Sequence, residues 1–138
     1  FNNMAIALTA LKRKNKIQKA FILDFDLHVG DGNINILGKT GYVTILNPAG
    51  QDRNEYLKTV ANALDKTDAD MIAVSAGFDN HEADWGGLLA TEDYTTMGRL
   101  VREAARRNGG GCFGILEGGY NHSVLGKNVW AFIEGMSG

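Results

Sequence analysis

Asp24, Asp26 and His28 stand at alternate positions, the first directly after the apolar run Ala20-Phe21-Ile22-Leu23. In an extended strand successive side chains alternate faces, so these three groups would share one. Two carboxylates and an imidazole on one face of a buried strand are costly to desolvate unless something compensates them. A divalent metal would, because carboxylate plus imidazole suits zinc and its first-row neighbours. Gly30-Asp31-Gly32 then reads as a tight turn at the carboxyl end of the strand, where open α/β sheets put their active sites. Taken alone, a capped strand end with satisfied polar groups explains the pattern at least as well.

Two further strands weigh on the choice. Met71 to Gly77 is a buried apolar run that ends in Phe78-Asp79-Asn80-His81, and Cys112 to Leu116 is another, ending in Glu117-Gly118-Gly119-Tyr120-Asn121. Three strands thus deliver metal-type or proton-handling residues at the same end, which favours a metal site. His81 and His122 lie just beyond strand ends, where a loop histidine is better read as a supporting or exposed group than as a ligand. Tyr120 follows two glycines that let the backbone turn sharply. Its phenol could donate to an oxyanion, or it could be a turn tyrosine packed on the surface.

The elements that must position these residues follow from periodicity. Ala5 to Leu11 predicts a helix closed by the basic run Lys12-Arg13-Lys14-Asn15-Lys16, whose cations complement a helix C-terminus. Strand one covers about Ala20 to Asp26, and Tyr42 to Leu46 is a β-branched strand bounded by Gly41 and Asn47-Pro48. Asp52 to Lys66 is helical, with Tyr56, Leu57, Val60, Ala61 and Leu64 at spacings of three and four. Thr91 reads as the N-cap of a helix reaching about Asn108, with Met97, Leu100, Val101 and Ala104 inward. A last helix, about Ser123 to Glu134, carries Val124, Leu125, Val129, Trp130 and Ile133. Strands alternating with helices, and strands that are nearly continuous apolar runs, predict an α/β fold with a parallel sheet covered on both faces.

The chain of 138 residues, 44% hydrophobic, suffices for one domain with a sizeable core. A net charge of −2 argues against nucleic-acid or membrane binding driven by electrostatics. The single cysteine, Cys112, forms no internal disulfide and reads as a small core residue; a soluble, reducing, cytoplasmic setting is the default expectation. No apolar run has the length of a membrane span. Gly38-Lys39-Thr40 fails as a phosphate loop, since the position five residues before Gly38 is Asn33 and a strand rather than a helix follows.

These motifs resemble the histone deacetylase superfamily, which includes acetylpolyamine amidohydrolases and acetoin-utilisation proteins. The matching stretches are Asp24 to Gly32, Ser75-Ala76-Gly77-Phe78-Asp79-Asn80-His81 and Glu117-Gly118-Gly119-Tyr120, with support from Phe1-Asn2-Asn3, Gly50 to Tyr56 and Asp84 to Leu88. The resemblance implies a three-layer α/β/α arginase/deacetylase-like fold. Residues 1–138 would form a single partial domain, its C-terminal part, with about four core strands. It implies Asp26, His28 and Asp79 as ligands of zinc, or of another divalent ion such as Fe²⁺, and Asp24 as a carboxylate beside a structural potassium. Tyr120 would bond the substrate carbonyl and its oxyanion, and the backbone of Gly118 and Gly119 would line the substrate channel. Zinc held by three protein groups keeps an open position for activating water, and an acetylated amine, of acetyl-lysine or acetylpolyamine type, would be cleaved to acetate and free amine.

There are departures from the family pattern. The chain begins at Phe1, after the place where the family carries its tandem histidines, and no His-His pair occurs in it; Val29 stands where a second histidine is usual. The chain therefore reads as the metal-binding part of a deacetylase whose own turnover is expected to be small. A metal-binding but inactive module and an arginase-like binuclear manganese hydrolase are the alternatives. The resemblance further implies the strand order first, fourth, third, second, with the Ala20 to Asp26 edge uncovered and available to a second copy or a complementing chain.

Overall fold

The computed structural model describes residues 2–138; Phe1, the first residue of the Asn-Asn segment, lies outside the described residues. The elements run α1 (Asn3–Arg13), β1 (Ala20–Asp24), α2 (Asp31–Leu37), β2 (Val43–Leu46), α3 (Arg53–Lys66), β3 (Met71–Ala76), α4 (Thr91–Arg107), β4 (Gly111–Leu116) and α5 (His122–Ser137). All strand pairs are parallel, as the continuous apolar runs predict. Helices α1 and α2 cover one face through Met4, Leu8 and Leu37 packed on Ala20, Ile22 and Ala73. Helices α3, α4 and α5 cover the other, where Tyr56, Val60, Val101 and Phe132 meet Phe21, Leu23, Ile72 and Val74. The result is the expected three-layer α/β/α arrangement.

The strand order is β2-β1-β3-β4, which corrects the expected order and the expected open edge. Ala20 pairs with both Val43 and Met71, so β1 is central, and the free edges belong to β2 and β4. Burial explains the arrangement. All five residues of β1 and five of the six in β3 are buried, which only an interior strand achieves, whereas Gly114 and Leu116 of β4 and Thr44 of β2 are exposed. From β1 the chain leaves through α2 on one face to β2; from β3 it leaves through α4 on the other face to β4. Right-handed crossovers in opposite directions open a crevice between the carboxyl ends of β1 and β3.

Side-chain N-caps open three helices, Asn121 serving α5 by accepting from Ser123 N. Asn2 and Asp52 cap α1 and α3 by accepting from Ala5 N and Glu55 N. Thr91, expected as the cap of α4, is instead its first helical residue; Ala90 is the cap, and its N–H donates to the Asp93 carboxylate at 2.8 Å. Thr91 is engaged elsewhere, donating to Asn128 Oδ1 at 2.7 Å.

Helix α2 was not foreseen, since Gly30-Asp31-Gly32 reads as a turn. Only Asn33 and Leu37 of this helix are buried, so it carries no apolar stripe for periodicity to reveal. In α5 the inward residues are Asn128, Ala131, Phe132 and Gly135, while Trp130 and Ile133 point to solvent. Glycines set this face: a Cβ on Gly135 would run into the Thr95 carbonyl oxygen, and one on Gly98 into that of Phe132. Helices α4 and α5 therefore touch backbone to backbone. Gly135→Ala is expected to force them apart at a cost of about 1–3 kcal/mol, read as a lower urea midpoint with an unchanged denaturant slope.

Candidate metal centre

The crevice between β1 and β3 holds the chemistry. Strand β1 ends at Asp24, so Asp26 and His28 lie in the following loop rather than on the same strand face as Asp24. Two successive side-chain turns shape that loop: Asp24 Oδ1 accepts from Asp26 N at 3.2 Å, and Asp26 Oδ1 accepts from His28 N at 2.9 Å. Asn47, just past β2, holds the bend from behind through Nδ2, which donates to the carbonyl of Asp24 at 2.7 Å and that of Asp26 at 3.3 Å.

From β3, Asp79 enters fully buried and its Oδ1 accepts from Leu27 N at 2.9 Å. From β4, Gly118 N donates to Asp26 Oδ2 at 2.9 Å. These bonds bring Asp26, His28 and Asp79 together, with one donor atom from each inside a span of 4.8 Å. His28 Nδ1 is 3.2 Å from Asp26 Oδ1 and 3.0 Å from Asp79 Oδ2. Asp79 Oδ2 is nonetheless buried without a hydrogen-bond partner. Donors about 2.0–2.1 Å from a tetrahedral zinc stand ~3.3 Å apart, close to these separations.

Glycine keeps the space clear. A Cβ on Gly118 would sit 2.8 Å from both Asp26 Oδ2 and Asp79 Oδ2, and one on Gly77 would strike the Asp26 carboxylate. The electrostatics point the same way. Burial, followed by the charge of Asp26, pushes the Glu117 carboxyl upward; burial likewise raises Asp79, with Asp26 adding to it. Carboxyls raised by burial and by a neighbouring carboxylate gain from a cation among them.

The other predicted residues fall elsewhere. Asp24 is buried on the wall of the same cleft, an opening of about 550 Å³, beside Asn33 and Ser75 and apart from the three-residue group. His81 is buried and structural. Its Nδ1 accepts from Ala83 N at 3.1 Å, so Nε2 carries the proton, 3.1 Å from Thr91 Oγ1. His122 is exposed as the first residue of α5, and Val29 is exposed on the cleft.

Tyr120 does not touch the three-residue group. Gly119, at φ +144°, turns the chain so that the Tyr120 ring stacks on Trp85 with centroids 4.2 Å apart. Trp85 in turn stands edge-on to His28 at 6.1 Å. The phenol still senses the site: burial first, then the charges of Asp79 and Asp26, raise its pKa. Trp85, Asn47 and Asn33 are site residues that sequence reasoning passed over. Only the placement of Trp85 within Asp84-Trp85-Gly86-Gly87-Leu88 hinted at a role.

The sequence model of the histone deacetylase domain matches residues 1–56 and 37–136. The chain belongs to the histone deacetylase family. Relatives of this deacetylase-family chain include a "Probable deacetylase" of Methanothermobacter thermautotrophicus, 28% identical over all of this chain and 52% of the relative. A "Histone deacetylase-like amidohydrolase" of Pseudomonas aeruginosa is 26% identical over all of this chain and 46% of its own length. The mouse "Polyamine deacetylase HDAC10" is 26% identical, with 27% of it covered. The chain thus spans about half or less of the length of these deacetylases. At the level of the family the chemistry is deacetylation, a hydrolysis, and a metal cofactor fits the donor set assembled here. No described helix is long and apolar enough to cross a membrane.

Asp24 gives this deacetylase-family chain a pH signature. Burial, followed by the charges of Asp26, Glu117 and Asp79, lifts its carboxyl from 3.8 to about 7, against the opposing hydrogen bond from Asp26 N. Between those values the folded chain keeps a proton that the unfolded chain has lost, so Asp24 makes stability fall as pH rises from 4 to 7. In chelator-treated protein, Asp24→Asn is expected to be more stable than the parent at pH 8 and indistinguishable from it near ~pH 4, measured by urea unfolding at both.

Proposed function

We propose that Asp26, His28 and Asp79 hold one divalent cation, zinc in the first instance, and that this centre hydrolyses an acetylated amine in the complete protein. The observation that carries the reading is the buried Asp79 Oδ2, which accepts no hydrogen bond among the described residues and faces His28 Nδ1 at 3.0 Å, beside an Asp26 carboxylate fixed by Gly118 N. Zinc held by these three residues would polarise an amide carbonyl and activate water. The chain's own residues supply the rest. Gly77 and Gly118 exclude side chains from the donor space, and the loop bonds from Leu27 N and His28 N hold the carboxylates in place. Tyr120 is the group to donate a hydrogen bond to the developing oxyanion.

The substrate class follows the relatives: an acetyl-lysine or acetylpolyamine type of amine, the latter in keeping with the polyamine deacetylase among them. A potassium ion beside Asp24 is a second, separate proposal, supported by the buried Asn33 Oδ1 in the same cleft, which has no hydrogen-bond partner among the described residues. Association with a second copy or a complementing chain belongs to the free β4 edge, beside which the cleft opens at Ile115, Leu116 and Glu117.

The chain contains no His-His pair, and general acid–base help typically supplies ~10²–10⁴-fold in rate. The purified chain is therefore expected to bind about one zinc and to turn over acetyl-lysine peptides or N-acetylputrescine little or not at all. Metal analysis after dialysis tests the first part: Asp79→Ala should lose the zinc, and equal contents in both proteins would refute the ligand assignment. Robust turnover that survives Tyr120→Phe would refute the role given to the phenol.

A further inference from the structure

We infer that Asp84 is a positioning residue, whose carboxylate fixes the turn that presents Tyr120 together with the Trp85 ring on which it stacks. The inference deepens the role proposed above for Tyr120 and rests on it. Asp84 Oδ1 accepts from Trp85 N at 2.7 Å, and Oδ2 accepts from Tyr120 N at 2.9 Å and from Asn121 N at 2.8 Å. One side chain thus gathers the backbone of both stacked residues from loops 36 positions apart. Hydrogen bonds to an ionised acceptor are roughly twice as strong as neutral ones, and against the opposing effect of burial these bonds lower the Asp84 carboxyl from its ordinary value.

Capping of α5 does not account for the arrangement. That helix is capped by Asn121, whose own side chain accepts from Ser123 N at 3.0 Å. The amides bound by Asp84 precede the helix, at Tyr120 and at the cap residue itself.

Nor does burial hold the two rings. Trp85 is 69% exposed and Tyr120 47%, so the hydrophobic effect fixes neither. Apart from Asp84, the two loops are tied by the bond from Phe78 N to the Gly118 carbonyl at 2.7 Å, which lies before the Gly119 turn, and by the bond from Asn121 Nδ2 to the Ala83 carbonyl at 2.6 Å. With Asp84 removed, the Trp85–Tyr120 stack loses what specifies it. The His28 side of the group, held by Asp26 and Leu27 N, does not involve Asp84.

The test uses the full chain with zinc, in a Trp130→Phe background so that Trp85 is the sole tryptophan. Near-ultraviolet circular dichroism reads the Trp85–Tyr120 stack. Titration of the phenol absorbance, taken as a difference from Tyr120→Phe, reads the surroundings of Tyr120. Asp84→Ala is expected to lose the stack signal and to bring the Tyr120 phenol down towards ~10. Its zinc affinity should change by much less than the ~10-fold that a disturbed ligand shell costs. Asp84→Asn keeps one acceptor oxygen and should fall between the two; it carries the test if the alanine variant does not fold. Both variants also remove the charge by which Asp84 itself raises the phenol, so the dichroism decides: an unchanged signal in either folded variant overturns the inference. Zinc binding by the parent is scored separately, so a failure of the metal assignment is told apart from a failure of Asp84.

Discussion

The site depends on an aromatic contact beneath it. Phe25 and Phe78 meet edge to face with centroids 5.6 Å apart, and both pack against Tyr94 and Phe132. Each is the chain neighbour of a proposed ligand, Phe25 of Asp26 and Phe78 of Asp79. Where the two rings sit thus decides where the two carboxylates sit. Both phenylalanines are fully buried, so the carboxylates inherit the rigidity of a packed core although they project from loops. The cluster also draws its other members from α4 and α5, which ties the helical layer directly to the centre.

Sheet topology supplies the second constraint. Strands β1 and β3 are neighbours whose connections depart to opposite faces, and the crevice they leave is where Asp26 and Asp79 converge. Gly118 arrives from β4 to close the third side with a backbone N–H, where a side chain would fill the space between the oxygens. The centre therefore needs three strand ends in register, and no single motif would build it.

Much of this was legible in the sequence because burial leaves a mark there. The unbroken apolar runs of β1 and β3 announce central strands, and Asp79 stands out as a charge at the end of one. The order of the strands could have been argued from the same signal, since Thr44 in β2 and Gly111 and Gly114 in β4 suit edges better than the β1 run does. The order taken from family resemblance instead put β1 at an edge. Helix α2 escaped because it buries a single apolar side chain, Leu37. Thr91 was misplaced by one residue because its hydroxyl serves Asn128, a partner 37 positions away that no local rule contains. The link from Asp84 to Tyr120 was invisible for the same reason. The alternation argument grouped Asp26 with His28 for a partly wrong reason, since the strand stops at Asp24 and two side-chain turns, not the pleat, aim these two residues.

The glycine contact between α4 and α5 has a consequence for β4. This strand has one open edge and half-exposed side chains, the usual recipe for fraying. It is, however, the short connector between two helices locked backbone to backbone, and neither helix has side-chain slack at Gly98 or Gly135 to let it slide. The strand is thus anchored at both ends to one closely packed helix pair. An edge that is chemically open is thereby backed along its length by helices whose own spacing leaves no room for side chains.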